Sequence, residues 1–317
     1  MSTMAKRTAF LAALAVLPGV AILASPRSAP ASGPTLQSIT TAVTDAEKAI
    51  QDIRIEFSCV ATPLGEDSDA IKAKYPGRYK PATGVYTKKG DKERLEYLTY
   101  APSSDTDKVP RTIVHDGSNT KLLTEKPDDR KVAKVSAGRW HALRSSFYLN
   151  PVLTVSANGD KPLSAELATM DAELVDGTHD VGEISCRLVK LYKKSAKGTI
   201  LRSFKVYLDP ASGYAPVKVE TYWYNFLCLE RTIEVLETST VNGVRVATTA
   251  KLTSYARPHK SKTSFPLYEK VLTATDVQVN QGVADSTFTL TFPPGTRVWD
   301  STLELIYEIP IDAGEGL

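Results

Sequence analysis

Residues 204–224 read Phe-Lys-Val-Tyr-Leu-Asp-Pro-Ala-Ser-Gly-Tyr-Ala-Pro-Val-Lys-Val-Glu-Thr-Tyr-Trp-Tyr, and this stretch decides the fold. Apolar and polar side chains alternate on both sides of residues 209–213, Asp-Pro-Ala-Ser-Gly. A turn belongs at that point because proline fixes φ and glycine accepts a positive φ. Alternation on both sides of a turn cluster predicts a β-hairpin.

The same alternation recurs along the chain and predicts a long antiparallel meander. The predicted strands are 53–60, 84–89, 93–100, 111–115, 120–124, 131–135, 184–193, 200–209, 214–224, 229–238, 244–254, 267–279 and 287–292. An open antiparallel sheet keeps one apolar face against a core. The prediction is therefore a mainly β fold of the α+β class, in which helices cover the concave face of a single large, antiparallel, twisted sheet.

Three windows predict the covering helices. Thr35 can cap a helix whose apolar residues recur at three- and four-residue intervals, and these residues are Leu36, Ile39, Val43, Ala46, Ile50 and Ile53. Windows 138–149 and 164–173 predict short helices that cannot fold alone and must lie against the sheet. Residues 63–82, with several prolines and glycines, predict an insertion between strands.

The N-terminus predicts export. Lys6 and Arg7 precede an apolar run, and small residues and prolines follow it. This layout predicts a secretory signal that is cleaved after Ala24 or Ala31. The alternative is an uncleaved membrane anchor, which the short run disfavours because Pro18-Gly19 interrupts it. The predicted domains are a signal peptide and leader at 1–31, a sheet domain at 35–302 and a tail at 303–317.

Charge and motifs argue against several functions. The formal net charge of the 317 residues is +3, and removal of Lys6 and Arg7 leaves 3 − 2 = +1, which offers no argument for nucleic acid binding. The four histidines, at 115, 141, 179 and 259, lack metal-ligand spacing. Neither a Gly-x-Ser-x-Gly elbow nor a phosphate-binding loop occurs. The sequence predicts no metal, no cofactor and no enzymatic activity.

Two kinds of residue that often carry chemistry have structural interpretations here. His115-Asp116 and His179-Asp180 fall in predicted turns, where aspartate serves turn geometry. Three cysteines in an exported chain allow one disulfide, and Cys186 with Cys228 is the pair that the predicted strands favour. Three free thiols are the alternative. Cys59 shows no sign of an activating base and is predicted to be a core residue.

Two features stand out from this background. Phe288, Leu290 and Phe292 alternate with polar residues and end at Pro-Pro-Gly, which predicts an edge strand that stops abruptly. The concave face also carries a surplus of apolar residues. They form either an ordinary core under the helices or an incompletely filled hollow that takes an apolar ligand. Both interpretations stay open, because residue types do not reveal unfilled volume.

The order of these motifs resembles the periplasmic lipoprotein-carrier (LolA/LolB) superfamily, which includes the sigma-factor regulator RseB. A helix runs directly into the strand at 53–60, as in that family. The other similar segments are the second strand at 84–89, the Asp-Gly hairpin at 113–122, the central hairpin at 206–219 and the closing strand at 288–298, which is the most specific match.

The resemblance implies a periplasmic, monomeric half-barrel of roughly eleven antiparallel strands. An N-terminal helix and short lid helices would close it over an acyl-chain cavity. The chain departs from the family where an arginine of the second strand latches the lid, since it has Lys88-Lys89 there. An ammonium group does not reproduce the forked hydrogen bonding of a guanidinium.

Two main hypotheses follow. The first is a periplasmic carrier that binds a lipid or the acyl chain of a lipoprotein in a hydrophobic cradle, with about 0.8 kcal/mol from each buried methylene. Its predicted lining residues are Phe57, Leu95, Leu122, Trp140, Phe147, Phe204, Val206, Leu208, Val219 and Trp223. Trp140 and Phe147 would face the 204–224 hairpin from a lid helix. The second is an envelope signalling or scaffold protein of the RseB type, whose cradle is packed shut and whose outer face binds a protein partner. A hydrolase is a distant third.

Overall fold

The computed structural model describes residues 33–65, 68–138, 162–223, 225–256 and 264–311. The helices in these ranges are α1 (Leu36–Lys48), α2 (Ser68–Lys74) and α3 (Leu163–Thr169). The strands are β1 (Asp52–Pro63), β2 (Ala82–Lys89), β3 (Lys92–Tyr100), β4 (Lys108–His115), β5 (Asn119–Glu125), β6 (Lys131–Ala137), β7 (Asp171–Leu174), β8 (His179–Val181), β9 (Ile184–Lys194), β10 (Ile200–Asp209), β11 (Ala215–Trp223), β12 (Cys228–Val241), β13 (Val244–Ala256), β14 (Phe265–Val279), β15 (Arg297–Asp300) and β16 (Leu305–Glu308).

The predicted central hairpin is confirmed as β10 and β11. Val206 pairs with Val219 in the antiparallel register. The Asp209 carboxylate accepts a hydrogen bond from the Ala211 N–H and so organises the turn. Gly213 has φ 65°, a left-handed conformation that favours glycine, and it ends the turn as the sequence predicts.

The predicted N-terminal helix is confirmed as α1. The Thr35 hydroxyl accepts from the Ser38 N–H, and the Ser38 hydroxyl accepts from the Thr35 N–H, so a capping box starts the helix. Ile39 and Val43 are buried against the sheet, where each contributes about 1.5–3 kcal/mol. The helix ends at Lys48, so the last member of the predicted periodic set, Ile53, lies in β1.

The strands form one open sheet of half-barrel shape. Its order is β16-β15-β6-β5-β4-β3-β2-β1-β14-β13-β12-β11-β10-β9-β7, and β8 pairs with β9. The two ends of this order, β16 and β7, do not pair with each other, so the barrel is not closed. All these pairings are antiparallel except β15 with β6. The predicted mainly β fold is confirmed.

The details differ from the sequence-based expectations at several points. The described part of the chain contains sixteen strands, more than the number that the family resemblance implies. β16 belongs to the sheet although it lies within the predicted tail 303–317. The helix predicted at 164–173 ends at Thr169, and β7 follows it. The insertion at 63–82 holds α2 and a 3₁₀ turn, Pro76–Tyr79. His179 lies in the short strand β8 rather than in a turn.

The predicted closing strand at 287–292 is wrong. Asp285–Phe288 is a 3₁₀ turn, and no strand begins until Arg297. Phe288 and Leu290 are buried, but against the outer surface of the sheet, where they pack on Val114 and Leu123. We call residues 283–292 the outer plug. Its carbonyl groups bind side chains of β2 and β3 instead of a neighbouring strand, and Pro293 and Pro294 lack the N–H that a ladder requires.

Of the two alternatives for the cysteines, three free thiols is confirmed and the Cys186–Cys228 disulfide is not formed. Cys186 lies in β9 and Cys228 in β12, which are three strand spacings apart, or about 14 Å. In the register of the sheet, Cys186 lies level with Asp209 of β10 and Cys228 lies level with Arg202 of the same strand. These two positions are about 23 Å apart along β10. A disulfide requires Cα atoms within about 7 Å.

The two faces of the sheet have different cores. Successive residues of a strand point to opposite faces, and Ile113 and Val114 accordingly belong to different buried clusters. We call the face that packs against α1 the concave face. Ile39 and Val43 contact its cluster on β9–β11, and Ala46 and Ile50 contact its cluster on β1–β4, β13 and β14. The outer plug covers the opposite face of β4–β6.

Candidate functional site: the concave face

One row of side chains crosses the concave face from strand to strand, and we call it the apolar row. Cross-strand pairing places its members in direct succession: Ile306, Trp299, Lys134, Leu122, Ile113, Leu95, Tyr86, Ile55 and Val277. Eight steps between neighbouring strands span about 38 Å. Apart from Lys134, each member presents an aliphatic or aromatic side chain. The sheet therefore carries an apolar track perpendicular to its strands, which Lys134 interrupts between Trp299 and Leu122.

The exposure of this track changes along its length. Ile55 and Ile113 are fully buried, whereas Trp299 is 53% and Ile306 63% exposed. The Lys134 ammonium lies over the Trp299 ring, 4.4 Å from its centroid, so the lysine covers an aromatic face and keeps its charge near solvent. The apolar row is consequently closed at the centre of the sheet and open at the β15–β16 edge.

Helices α1 and α3 cover the other half of the concave face and are joined by a partly buried carboxylate. Glu47 near the end of α1 accepts a hydrogen bond from the Ser164 N–H at 3.0 Å and another from the Ser164 hydroxyl. Burial raises the pKa of Glu47 above its ordinary value, although the Ser164 hydrogen bonds and the Lys88 charge act in the opposite direction. This contact fixes the start of α3 against the end of α1.

Under these helices the side chains of the concave face are buried. The predicted lining residues Phe204, Val206, Leu208 and Val219 are at most 4% exposed and pack with residues of α1 and α3. Trp223 lies further along β11, half-buried, with the Arg202 guanidinium 4.2 Å from its ring centroid.

The remaining predicted lining residues divide into two groups. Phe57, Leu95 and Leu122 belong to the cluster around the apolar row. The Phe57 ring lies over Gly84, where an added Cβ would approach the ring to 2.7 Å, so glycine leaves the space that the ring occupies. Trp140 and Phe147, with the predicted lid at 138–149, lie outside the described residues.

A buried polar row lies beside the apolar row, two residues further along each strand. Its members pair in register across β2–β5: Lys88, Glu93, His115 and Thr120. Glu93 is fully buried, accepts a hydrogen bond from the Tyr86 hydroxyl at 3.0 Å and lies 3.6 Å from the Lys88 ammonium. Lys88 therefore forms an ion pair on the concave face, while Lys89 reaches the carbonyl of Val283 in the outer plug.

The orientation of the His115 ring follows from its hydrogen bonds. The Thr120 hydroxyl donates to the Gly138 carbonyl at 2.6 Å, so its oxygen accepts from His115 Nδ1 at 3.2 Å. By this assignment a neutral imidazole carries its proton on Nδ1 and leaves Nε2 as an acceptor. The site combines a buried ion pair, a tyrosine and an oriented imidazole beside an apolar track. Such a set can bind the polar end of an amphiphile.

Sequence reasoning missed the polar row. It assigned His115 to a turn and treated Lys88 as a departure from a family pattern. The available signal was the spacing: each of these residues lies two positions from a member of the apolar row on the same strand, namely Lys88, Glu93, His115 and Thr120. Alternation alone could have placed them on the concave face, but their mutual contacts depend on registers between strands.

A pocket of about 340 Å³ opens at the C-terminal end of α1. Small residues form most of its wall, and the lining is Ala46, Ala49, Ala211, Ser212, Ala215, Gly243, Val244 and Arg245. Ala46, Ala215 and Val244 also pack against the cluster that contains Ile55 and Leu95. Ligand pockets in proteins commonly span about 300–1,000 Å³. The pocket thus borders the closed part of the concave face.

Nucleophile and metal chemistry find little support in the described ranges. Burial, with a smaller effect of Asp209 and Asp180, raises the pKa of Cys186 to about 11. Burial also raises the pKa of Cys59, so neither thiol is activated. In the part of the chain that the structure describes, no group of three His, Cys, Asp or Glu residues could hold a metal ion. None of the helices there is long and apolar enough to cross a membrane.

Comparisons with known proteins give only structural likenesses. No family model matches the chain, and no curated protein matches it. A DUF1329 family protein from Desulfovibrio piger is 12% identical, with a TM-score of 0.44, over 80% of this chain and 97% of that one. PNGF-II is 9% identical, with a TM-score of 0.23, over 80% of this chain and 32% of its own.

A third solved structure is MucB in complex with MucA(peri). MucB is 10% identical, with a TM-score of 0.19, over 78% of this chain and 99% of its own. At these identities and TM-scores, the likenesses carry no argument about what this chain binds. The functional argument therefore rests on the residues of the concave face.

Proposed function

We propose that the protein is an exported, periplasmic binding protein for a lipid or an acylated protein, and that it performs no chemistry on its ligand. The apolar row is the observation that supports this proposal. The row runs about 38 Å across eight strand steps, and its exposed members, Trp299 and Ile306, lie at the β15–β16 end. A single extended hydrocarbon chain is the kind of ligand that such a track suits.

The direction of the ligand follows from the exposure of the row. The chain enters at Trp299 and Ile306, which are exposed, and runs toward Leu122 and Ile113. Each methylene that leaves water contributes about 0.8 kcal/mol. The polar end lies beside Lys88 and His115, where charges and hydrogen-bond groups are already arranged.

The test compares two substitutions at one edge of the sheet. Trp299→Ala removes a member of the apolar row on the concave face. Leu305→Ala removes a side chain of the neighbouring strand β16 that points to the outer face. Both residues are more than half exposed, at 53% and 56%, so neither substitution is expected to unfold the protein. A fluorescent fatty acid should bind the Trp299→Ala protein about tenfold more weakly, or about 1.4 kcal/mol, and should bind the Leu305→Ala protein as the wild type.

The outcome against the proposal is equally specific. Equal affinity for the three proteins would place the ligand elsewhere, and absence of binding to the wild type would end the acyl-chain proposal. Mass spectrometry of lipids that co-purify with the mature protein identifies the natural ligand class.

The scaffold hypothesis remains the second candidate because one observation favours it. The concave face over β9–β11 is packed shut, and the β15–β16 edge exposes several large apolar residues: Trp299, Leu303, Leu305, Ile306, Tyr307 and Ile311. A protein that binds no acyl probe but retains this exposed edge fits the scaffold hypothesis better.

A further inference from the structure

Among the strands that the structure describes, none pairs with the outer edge of β16. β16 ends the strand order, and its inner side pairs with β15. Ile309, just after it, donates to the Thr296 carbonyl and accepts from the Gly295 N–H, so its backbone faces inward. In an antiparallel ladder the N–H and C=O groups of successive residues point to opposite edges of the strand. The backbone groups of Tyr307 therefore point toward β15, and those of Ile306 and Glu308 point to the outer edge.

The opposite edge of the sheet is protected, and this contrast is informative. At β7, Asp171 forms an ion pair with Lys194 at 2.6 Å, and Glu173 forms one with Lys190 at 3.0 Å. Charged side chains of this kind discourage pairing with another chain. β16 has no lysine and no register shift in its pairing with β15. In the described part of the chain its outer edge is therefore the less protected of the two, since Glu308 is the one charged residue of β16.

The side chains of this edge are apolar on both faces. Ile306 continues the apolar row on the concave face and is 63% exposed. Leu305 lies on the outer face and is 56% exposed, and Leu303, in the turn before the strand, is 61% exposed. An added strand would find apolar neighbours on either side, which is how an edge selects alternate side chains of an extended peptide.

The charge of the segment selects the partner. Residues 300–317 include Asp300, Glu304, Glu308, Asp312 and Glu315, and no lysine or arginine. Glu308 is exposed and shares the concave face with Ile306, and Glu304 is exposed in the turn just before the strand. Two copies of β16 paired together would crowd four of these carboxylates, which is unfavourable. A basic strand has no such penalty.

We infer that the outer edge of β16 is a docking site for an extended segment of another protein, in which basic residues alternate with apolar ones. The segment adds one strand to the sheet and hydrogen-bonds to the N–H and C=O groups of Ile306 and Glu308. Its basic side chains lie on the concave face beside Ile306 and Glu308, and its apolar ones lie on the outer face beside Leu305. The inference is independent of acyl-chain binding.

The experiment uses a fluorescent, seven-residue peptide of alternating lysine and valine with blocked ends, and the mature protein. Ile306→Pro removes an outward N–H, which an edge strand tolerates. It should weaken peptide binding at least tenfold without a change in the unfolding transition. Glu304→Lys combined with Glu308→Lys should reverse the preference, so that a glutamate–valine peptide binds better than the lysine–valine peptide.

Two controls decide between this site and its rivals. The lysine–valine peptide with every second amide N-methylated keeps charge and apolar area but loses the hydrogen bonds, and it should not bind. Equal binding of the methylated peptide, or unchanged binding to the Ile306→Pro protein, would refute strand addition. Concentration-dependent dimerisation of the wild type that Ile306→Pro abolishes would assign the edge to a second copy and overturn the proposed partner.

Discussion

Arg94 should hold the outer plug on the sheet. Its Nη1 donates to the carbonyl oxygens of Thr287 and Thr289 at 3.0 and 3.2 Å, and its Nη2 pairs with Glu96. A hydrogen bond to a charged group contributes about 1.5–3 kcal/mol. The Arg94 side chain is 22% exposed, and screening reduces these values. We expect Arg94→Ala to lower the free energy of unfolding by about 2 kcal/mol.

Arg54 provides a matched control on the same face. It pairs with Glu56 as Arg94 pairs with Glu96, it lies 3.7 Å from the Asp276 carboxylate, and its side chain is 34% exposed. In the part of the chain that the structure describes, Arg54 makes no hydrogen bond to a carbonyl of the outer plug. Arg54→Ala should therefore cost only the value of a surface ion pair, about 0–1 kcal/mol. Arg94→Lys should fall between the two alanine variants, because an ammonium group lacks the guanidinium fork.

Urea unfolding of the three variants measures these differences, and limited proteolysis reports whether cleavage appears within residues 283–292. Equal losses for Arg94→Ala and Arg54→Ala would refute the view that side chains rather than a strand ladder anchor the plug. A large loss for Arg94→Ala without new cleavage in the plug would also refute it.

Three further predictions concern the core. Burial raises the pKa of Glu47 in the folded protein, so the stability that this shift contributes is complete below the unfolded pKa of about 4.3 and is lost as the pH rises through the folded pKa. Glu47→Gln should therefore reduce the fall in melting temperature over that pH range. An unchanged pH profile of the melting temperature would contradict the raised pKa of Glu47. Phe204→Ala should cost about 3–5 kcal/mol in urea unfolding, whereas a loss below 1 kcal/mol would show that the ring is not packed. Reducing agent should leave the melting temperature of the exported protein unchanged, since Cys186 and Cys228 lie too far apart to pair, and a fall on reduction would show a disulfide.

Local patterns predicted the elements that local chemistry controls. The Asp209–Gly213 turn and the Thr35 cap depend on residues within a few positions of each other, and both are present as expected. The 287–292 segment shows where the argument fails. Phe288 and Leu290 do become buried, but alternation cannot tell a strand in a ladder from a segment that lies across the outer surface of one.

The candidate site was less accessible to sequence reasoning for the same physical reason. Alternation placed Leu95 and Phe204 on the concave face, yet it could not show that Phe204 is sealed beneath α1 and α3 while the row through Leu95 leads to an open edge. Those differences arise from registers between distant strands. The Cys186–Cys228 pairing failed likewise, because strand membership says nothing about the order of strands in a sheet.

The position of β1 in the sheet has a consequence for the order of folding. β1 lies between β2 and β14, and the Asn280 side chain accepts from the Gln51 N–H across 229 residues of sequence. The central seam of the sheet therefore joins the first strand to one of the last. Until β14 has been synthesised, β1 and β13 each keep an unpaired edge, and such edges invite aggregation. Contacts of so long a range also slow folding, because the loop must close before its contacts form.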